Sequence, residues 1–135
     1  MVLKYLTVLL AATGLLGDDI FYYSDSKKIY LQTVKASELK SRNLSSVYRN
    51  VTYYKTPQNN IVGVNQSLIV KFSDLDKFDI LVQKYKLIPI KKLYSSVYLF
   101  ELEKNNSIFN VCNEIYQLPY VDFAHPNFIQ EVNKR

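Results

Sequence analysis

The second half of the chain alternates between segments whose apolar residues recur at every second position and segments where they recur every third or fourth. The first period is typical of half-buried strands, and the second of amphipathic helices. The period-two segments predict four strands, at 67–72 (SLIVKF), 87–93 (LIPIKKL), 96–103 (SVYLFELE) and 120–128 (YVDFAHPNF). In the last strand, Val121 and Phe123 are expected on one face and Asp122 and Ala124 on the other. Because Pro89 cannot donate to a backbone ladder, it indicates an edge strand or the beginning of a strand.

Two helices are predicted between these strands. The first begins at Ser73, whose hydroxyl, together with the carboxylate of Asp76, is expected to satisfy free backbone amides. The apolar face of this helix comprises Leu75, Phe78, Leu81, Val82 and Tyr85. The second helix begins at KNNS (104–107) and ends before Pro119. Its apolar side comprises Ile108, Val111, Cys112 and Ile115.

The order strand, helix, strand, strand, helix, strand predicts an α+β fold of the ferredoxin-like split βαβ type. In this arrangement both helices cover one face of an antiparallel four-stranded sheet. The other face is open to solvent or to a partner, so we expect function to reside there.

The residues before this unit predict a strand-rich extension. The segments IFYYS and KKIYLQTV flank the polar turn Ser24-Asp25-Ser26, which indicates a β-hairpin, and a second pair of strands flanks PQNN (57–60). The predicted organisation is therefore a signal peptide (1–17), a strand-rich N-terminal extension (18–64) and an α+β domain with a C-terminal tail (65–135).

The amino-terminal segment MVLKYLTVLLAATGLLG contains one basic residue, Lys4, followed by an uncharged apolar run from Tyr5 to Leu16. The run is too short to cross a bilayer, which requires about 20 residues, but it suits a secretory signal peptide. We expect cleavage after Gly17, with Gly14 as the alternative, and export to the periplasm or the medium. No stable membrane insertion of the mature chain is expected. The alternative for this segment is a buried helix.

Composition excludes several kinds of site. Lys and Arg total 17 against 12 Asp and Glu, and because the two signs are interspersed we expect a mixed solvated surface without a nucleic-acid-binding stripe. Beyond the signal segment the only glycine is Gly63, which excludes glycine-rich phosphate and dinucleotide loops. Cys112, the only cysteine, is expected to be a buried thiol. With a single cysteine and a single histidine, the sequence predicts neither a metal site nor a cofactor.

The only histidine, His125, lies in YVDFAHPNFI. A serine-protease triad requires a histidine that is held by a carboxylate. Asp122 and His125 are three positions apart on a predicted strand, so their side chains are expected on opposite faces. We therefore expect no catalytic role for His125, and a protein that is not an enzyme.

The run from Ser67 to Ile129, with SLIVKF, KYKLIPIKKL, SVYLFELE and SIFNVCNEIYQLPYVDFAHPNF, resembles the N-terminal prodomain of secreted bacterial subtilisin-like serine proteases. A last strand that leads into His125 and then PNF is similar to the final strand of these inhibitor-type propeptides. The glycine-containing segments that carry the catalytic Asp, His and Ser of such enzymes are not found in the sequence. The resemblance therefore implies a prodomain that stands alone, without its catalytic domain.

This resemblance implies a protein that binds and inhibits a subtilisin-like protease, or assists its folding as an intramolecular chaperone. The open sheet face would rest on two surface helices of the enzyme, and the extended tail would enter its active-site cleft. The tail residues nearest the scissile position would be Val132, Asn133, Lys134 and Arg135. Phe128 and Ile129 would either anchor this tail or form the end of the core strand.

Three other functions are compatible with the sequence. The chain could be the N-terminal remnant of an interrupted secreted protease, or a secreted adhesion module whose twelve tyrosines form a contact surface. RNA binding by the open sheet is the third, although the basic-Gly-aromatic pattern of RNA-binding domains with this fold is absent. Separately, Asn105 in EKNNS matches an acidic glycosylation acceptor, with a helix cap as the alternative.

Overall fold

The computed structural model describes residues 19–41, 51–103 and 106–130. Within these ranges the protein is an α+β structure built on two antiparallel sheets. Its strands are β1 (Ile20–Ser24), β2 (Lys27–Thr33), β3 (Thr52–Lys55), β4 (Ile61–Val64), β5 (Ser67–Phe72), β6 (Ile88–Tyr94), β7 (Val97–Glu101), β8 (Val121–Pro126) and β9 (Ile129–Gln130). Its helices are α1 (Ala36–Ser41), a 3-10 helix (Leu75–Lys77), α2 (Phe78–Tyr85) and α3 (Ile108–Tyr116). The predicted signal peptide lies outside the described residues.

The first sheet has the strand order β1-β2-β3-β4-β9. The predicted hairpin is confirmed: β1 pairs with β2, and the chain turns at Asp25 and Ser26, whose φ angles are 51° and 67°. Two consecutive positive φ angles are typical of a type I′ turn, whose twist matches that of the flanking strands. The second predicted hairpin is also confirmed, since β3 pairs with β4. Helix α1, which the sequence pattern does not predict, lies between the hairpins, and Lys55 Nζ is 2.8 Å from an oxygen of Glu38 on that helix.

The second sheet has the order β6-β7-β5-β8, with antiparallel pairing at every interface. Strand β6 is an edge strand, which confirms the position that Pro89 predicts. Helix α2 follows β5 and helix α3 follows β7 in the chain. Both helices contribute buried side chains, Leu81 from α2 and Cys112 and Ile115 from α3, to the cluster that includes Leu68 and Phe100 of the sheet. Both helices thus pack on the same face of this sheet.

One core joins the two sheets. Tyr23 and Leu31 of the first hairpin belong to the same buried cluster as the second sheet and its helices. The ring of Tyr23 stacks on that of Tyr116 with centroids 4.4 Å apart, and Asn113 Nδ2 donates a 3.0 Å hydrogen bond to the carbonyl of Phe21. The extension is therefore packed directly on α3.

The C-terminal strand β9 closes the first sheet against β4. Ile129 lies opposite Gly63 in the ladder, next to the pairing of Gln130 with Val62. A Cβ at Gly63 would lie 2.7 Å from Val51 Cγ1 and 3.3 Å from Tyr53 Cε1. Only glycine allows the side chains around β4 to approach this closely.

The start of the first predicted helix is wrong by one residue. Asp74, not Ser73, is the N-cap, and its Oδ1 accepts a 3.0 Å hydrogen bond from the amide of Asp76. The backbone amide of Ser73 donates to the carbonyl of Tyr120 instead. The first turn is a 3-10 helix in which Leu75 is 44% exposed, so Leu75 does not belong to the buried face. The predicted cap of the second helix is confirmed, because Ser107 Oγ accepts from the amide of Asn110.

The predicted alternation along the last strand is also wrong. The register of β5 with β8 shifts between Lys71 and Phe72, which lie opposite Phe123 and Val121, so Asp122 is an extra residue in a bulge. A bulge reverses the faces of the residues that follow it. Val121 and Ala124 are consequently buried, whereas Phe123 is only half-buried.

Candidate functional site on the open sheet face

The two faces of the second sheet can be assigned from the burial of strand β5. Leu68, Val70 and Phe72 are buried, while the alternate residues Ser67, Ile69 and Lys71 are partly exposed. The buried residues belong to the core cluster with α2 and α3. The partly exposed residues therefore lie on the face opposite the helices, which we call the open face.

The open face carries an apolar cluster at its centre. Ile69 lies opposite Leu99 of β7 on one side and His125 of β8 on the other, and Phe123 lies opposite Lys71. We call Ile69, Leu99, Phe123 and His125 the open-face cluster. All four side chains are partly exposed, and none of them belongs to the core cluster. The fold thus leaves a patch of apolar and aromatic surface that its own core does not use.

The imidazole of His125 is held in a row of aromatic rings. It stacks on Phe123 with centroids 5.3 Å apart and planes at 17°, and lies 6.2 Å from the ring of Phe128 at 11°. Its Nδ1 donates a 2.8 Å hydrogen bond to the carbonyl of Pro126. The row continues to Tyr22 of the first hairpin, 4.7 Å from Phe128, and burial raises the pKa of the Tyr22 hydroxyl. These contacts fix the orientation of the ring on the open face.

Asp122 and His125 have different partners. The carboxylate of Asp122 lies 3.7 Å from Lys71 Nζ in an ion pair whose side chains are both nearly half exposed. The described hydrogen bond of His125 goes to backbone. Opposite faces were predicted for these two residues from strict alternation along the strand. The bulge at Asp122 interrupts that alternation. An acid-histidine pair of the kind that activates a serine nucleophile would need a direct hydrogen bond between them.

The C-terminal residues singled out in the sequence fall into two groups. Phe128 packs against the core cluster and Ile129 is a residue of β9, so both are tied to the folded structure. Val132, Asn133, Lys134 and Arg135, the predicted tail, lie outside the described residues, as does Asn105. In the sequence, the predicted tail follows β9 after one residue.

Other parts of the surface contain grooves. Two surface grooves, of about 220 and 390 Å³, lie at the first turn of α3 and between β1 and α3. Among the described residues, no group of three or more His, Cys, Asp or Glu side chains could hold a metal ion. In the same part of the chain, no helix has the length and apolar composition needed to cross a membrane.

Comparison with protein-family models, with curated proteins and with solved structures yields no significant match to this chain.

One exposed feature is not identified by the sequence analysis. Every residue of edge strand β6 except Leu93 is exposed, including the large apolar side chains of Ile88, Ile90 and Tyr94. The sequence does carry an indication of this exposure, since Pro89 is followed by Lys91 and Lys92 in an otherwise apolar strand. Lysine and proline are typical of edge strands.

Proposed function

We propose that the protein is a non-catalytic, exported domain that binds and inhibits a subtilisin-like serine protease, or assists its folding. The open face and the C-terminal tail would make the contacts. The observation that carries this proposal is the open-face cluster, an apolar patch on a sheet whose other face is covered by both helices.

We further propose that residues 65–135 have the ferredoxin-like split βαβ arrangement. The strand order β6-β7-β5-β8 with antiparallel pairing supports it, as does a helix after β5 and another after β7. In such a fold the open face is a rigid platform, because its inner strands β7 and β5 are hydrogen-bonded to a neighbouring strand on both edges.

Binding through this platform has a simple physical basis. Removing apolar surface from water contributes about 25 cal/mol for each Å² that is buried. Ile69, Leu99 and Phe123 supply such surface at the centre of the face. An extended tail adds main-chain hydrogen bonds along the edge of a partner's cleft, while alternate side chains enter pockets. Val132 to Arg135 would act in this way.

The adhesion alternative receives less support from the tyrosines. Among those described, Tyr23, Tyr53 and Tyr116 are buried, and only Tyr30 and Tyr94 are strongly exposed. Most of the tyrosine surface is thus used inside the protein and not as a contact surface.

The direct test is inhibition of a panel of purified subtilisin-like proteases by the mature protein. We expect inhibition near a stoichiometric ratio with at least one enzyme. Deleting Val132–Arg135 should weaken it, and Phe123→Lys should weaken it by about tenfold or more, since a charge would enter a desolvated contact. The matched control is Ile80→Lys, which places the same charge at a residue 52% exposed on α2, the helix side of the sheet.

Folding of every variant is checked by circular dichroism. If Phe123→Lys and Ile80→Lys weaken inhibition equally, the open face is rejected as the contact surface. A folded protein that inhibits no enzyme of the panel would reject the proposed function. The remnant interpretation would then be favoured, or the adhesion interpretation if a cell-surface component is bound.

A further inference from the structure

Edge strand β6 exposes more apolar side-chain surface than an edge strand normally does. Ile88 is 49% exposed, Ile90 is 52% exposed and Tyr94 is 62% exposed. Their neighbours Lys91 and Lys92 are also exposed. Natural edge strands are usually short or covered, so an exposed apolar edge of seven residues requires an explanation.

The charge around this strand is mainly positive. Residues 80–100 contain Lys84, Lys86, Lys91 and Lys92 and no acidic residue. All four lysines are exposed. The neighbouring strand contributes a single carboxylate, Glu101, which lies opposite Ile88 at one end. The charges along this edge are therefore less evenly mixed than composition predicts, with lysines in excess.

The backbone of β6 is poorly suited to pairing with another strand. Its register with β7 shifts between Pro89 and Lys91 and again between Lys92 and Tyr94. Pro89 in addition has no amide hydrogen to donate. Irregular ladders and proline prevent edge-to-edge pairing. A partner of this edge would therefore be contacted through the protruding side chains.

We infer that strand β6, with Lys84 and Lys86, is a docking surface for an anionic lipid bilayer. Lysine ammonium groups are attracted to anionic headgroups, and tyrosine and isoleucine side chains enter the boundary between headgroups and acyl chains. A bilayer surface deforms around protruding side chains, so it requires no complementary pocket. This attachment would be peripheral and salt-dependent, because it relies on exposed lysines and on side chains that reach only the headgroup boundary.

This surface adjoins the open-face cluster, because Lys91 lies opposite Leu99 of β7, but the cluster itself is formed by residues of β5, β7 and β8. The inference does not depend on the proposed protease, and its test contains none. Failure of either proposal therefore leaves the other unaffected.

The test is co-sedimentation of the mature protein with vesicles of phosphatidylcholine alone and of equal parts phosphatidylcholine and phosphatidylglycerol. We expect binding to the anionic vesicles only, and release by high salt. The double variant Lys91→Gln and Lys92→Gln should weaken binding by about tenfold or more, since each lysine near an anionic surface contributes several-fold. Ile90→Ser should weaken it by several-fold, on the order of the effect of one buried apolar side chain.

Matched controls lie on the first hairpin and the segment after it. Lys27→Gln with Lys35→Gln removes two exposed lysines, and Tyr30→Ser removes an apolar side chain that is 43% exposed. These variants should bind like the unaltered protein. Absence of binding, equal binding to neutral vesicles, or equal loss in the controls would each overturn the inference. It would also be overturned if soluble polyglutamate bound equally well and Ile90→Ser had no effect, because an acidic protein would then be the partner.

Discussion

The helix-covered face and the open face of the second sheet are built from the same strands but differ in what surrounds their side chains. On β5, Leu68 is fully buried beneath the helices, while the next residue, Ile69, is partly exposed. The covered face continues through Phe100 and Ala124 into the core, whereas Ile69, Leu99 and Phe123 of the open-face cluster lie outside that core cluster. The comparison separates apolar surface that stabilises the fold from apolar surface that remains for a partner.

The largest expected effect is on the covered face. Leu68→Ala should lower the free energy of unfolding by about 2–5 kcal/mol, because it leaves a cavity in a fully buried site. Ile69→Ala, one residue further on, should cost less than half as much, since part of that side chain is already in water. Denaturant unfolding of the two variants measures both values. Equal losses would show that the open face is covered in solution.

The thiol of Cys112 extends the comparison to reactivity. Cys112 is completely buried on the helix side, and desolvation raises the pKa of its thiol. The native thiol is therefore neutral and inaccessible, and alkylation should require unfolding. We expect iodoacetamide to label the native protein on the order of a thousandfold more slowly than the denatured protein. Mass spectrometry measures the extent of labelling over time. Rapid native labelling would indicate that α3 detaches from the sheet.

Tyr85 makes the stability of the covered side dependent on pH. Burial and, as a smaller cause, a hydrogen bond to Glu114 raise the pKa of Tyr85 to about 12. In the unfolded chain the pKa of tyrosine is about 10, so the folded state holds the proton of Tyr85 more tightly. Stability from this group is therefore complete below about pH 10 and is lost as the pH rises toward 12.

Tyr85→Phe should consequently reduce the fall in unfolding free energy over this alkaline range. Denaturant unfolding at several pH values measures the slope for the variant and for the unaltered protein. An unchanged slope would mean that Tyr85 is solvated in the native state.

The smallest expected effect concerns the ion pair of Lys71 with Asp122. Both side chains are nearly half exposed and the two charged atoms are 3.7 Å apart, so the pair is screened by water. Asp122→Asn should change the unfolding free energy by less than about 0.5 kcal/mol. The measurement is denaturant unfolding at low and high salt. A larger loss would assign the carboxylate a role in holding the bulge of β8.

Local signals predicted much of the fold correctly. The polar residues 24–26 predicted the first hairpin, Pro89 predicted the edge strand, and the segment KNNS (104–107) predicted the start of α3, where Ser107 is the cap. Each of these signals acts within a few residues. A turn needs particular φ angles, a ladder needs an amide hydrogen, and a helix start needs a nearby acceptor.

The candidate site was predicted less completely than the fold. The open face was expected, but Phe123 was assigned to the same face as Val121. Its true face depends on the bulge at Asp122, which is set by how β8 pairs with β5. The start of the first predicted helix shows the same limit, since the amide of Ser73 pairs with Tyr120 from a distant part of the chain while Asp74 caps the 3-10 helix.

The order of strands and helices from β5 to β8, the turns of the two hairpins and most of the buried positions follow from the amino-acid sequence, because periodicity and capping are local properties of the chain. The tertiary structure decides which residues share the open face and how the first hairpin packs on α3. Both depend on contacts between residues far apart in sequence, such as Lys71 with Phe123 and Tyr23 with Tyr116. A pattern along the chain does not specify the register of such pairs, and a shift of one residue moves a side chain to the opposite face.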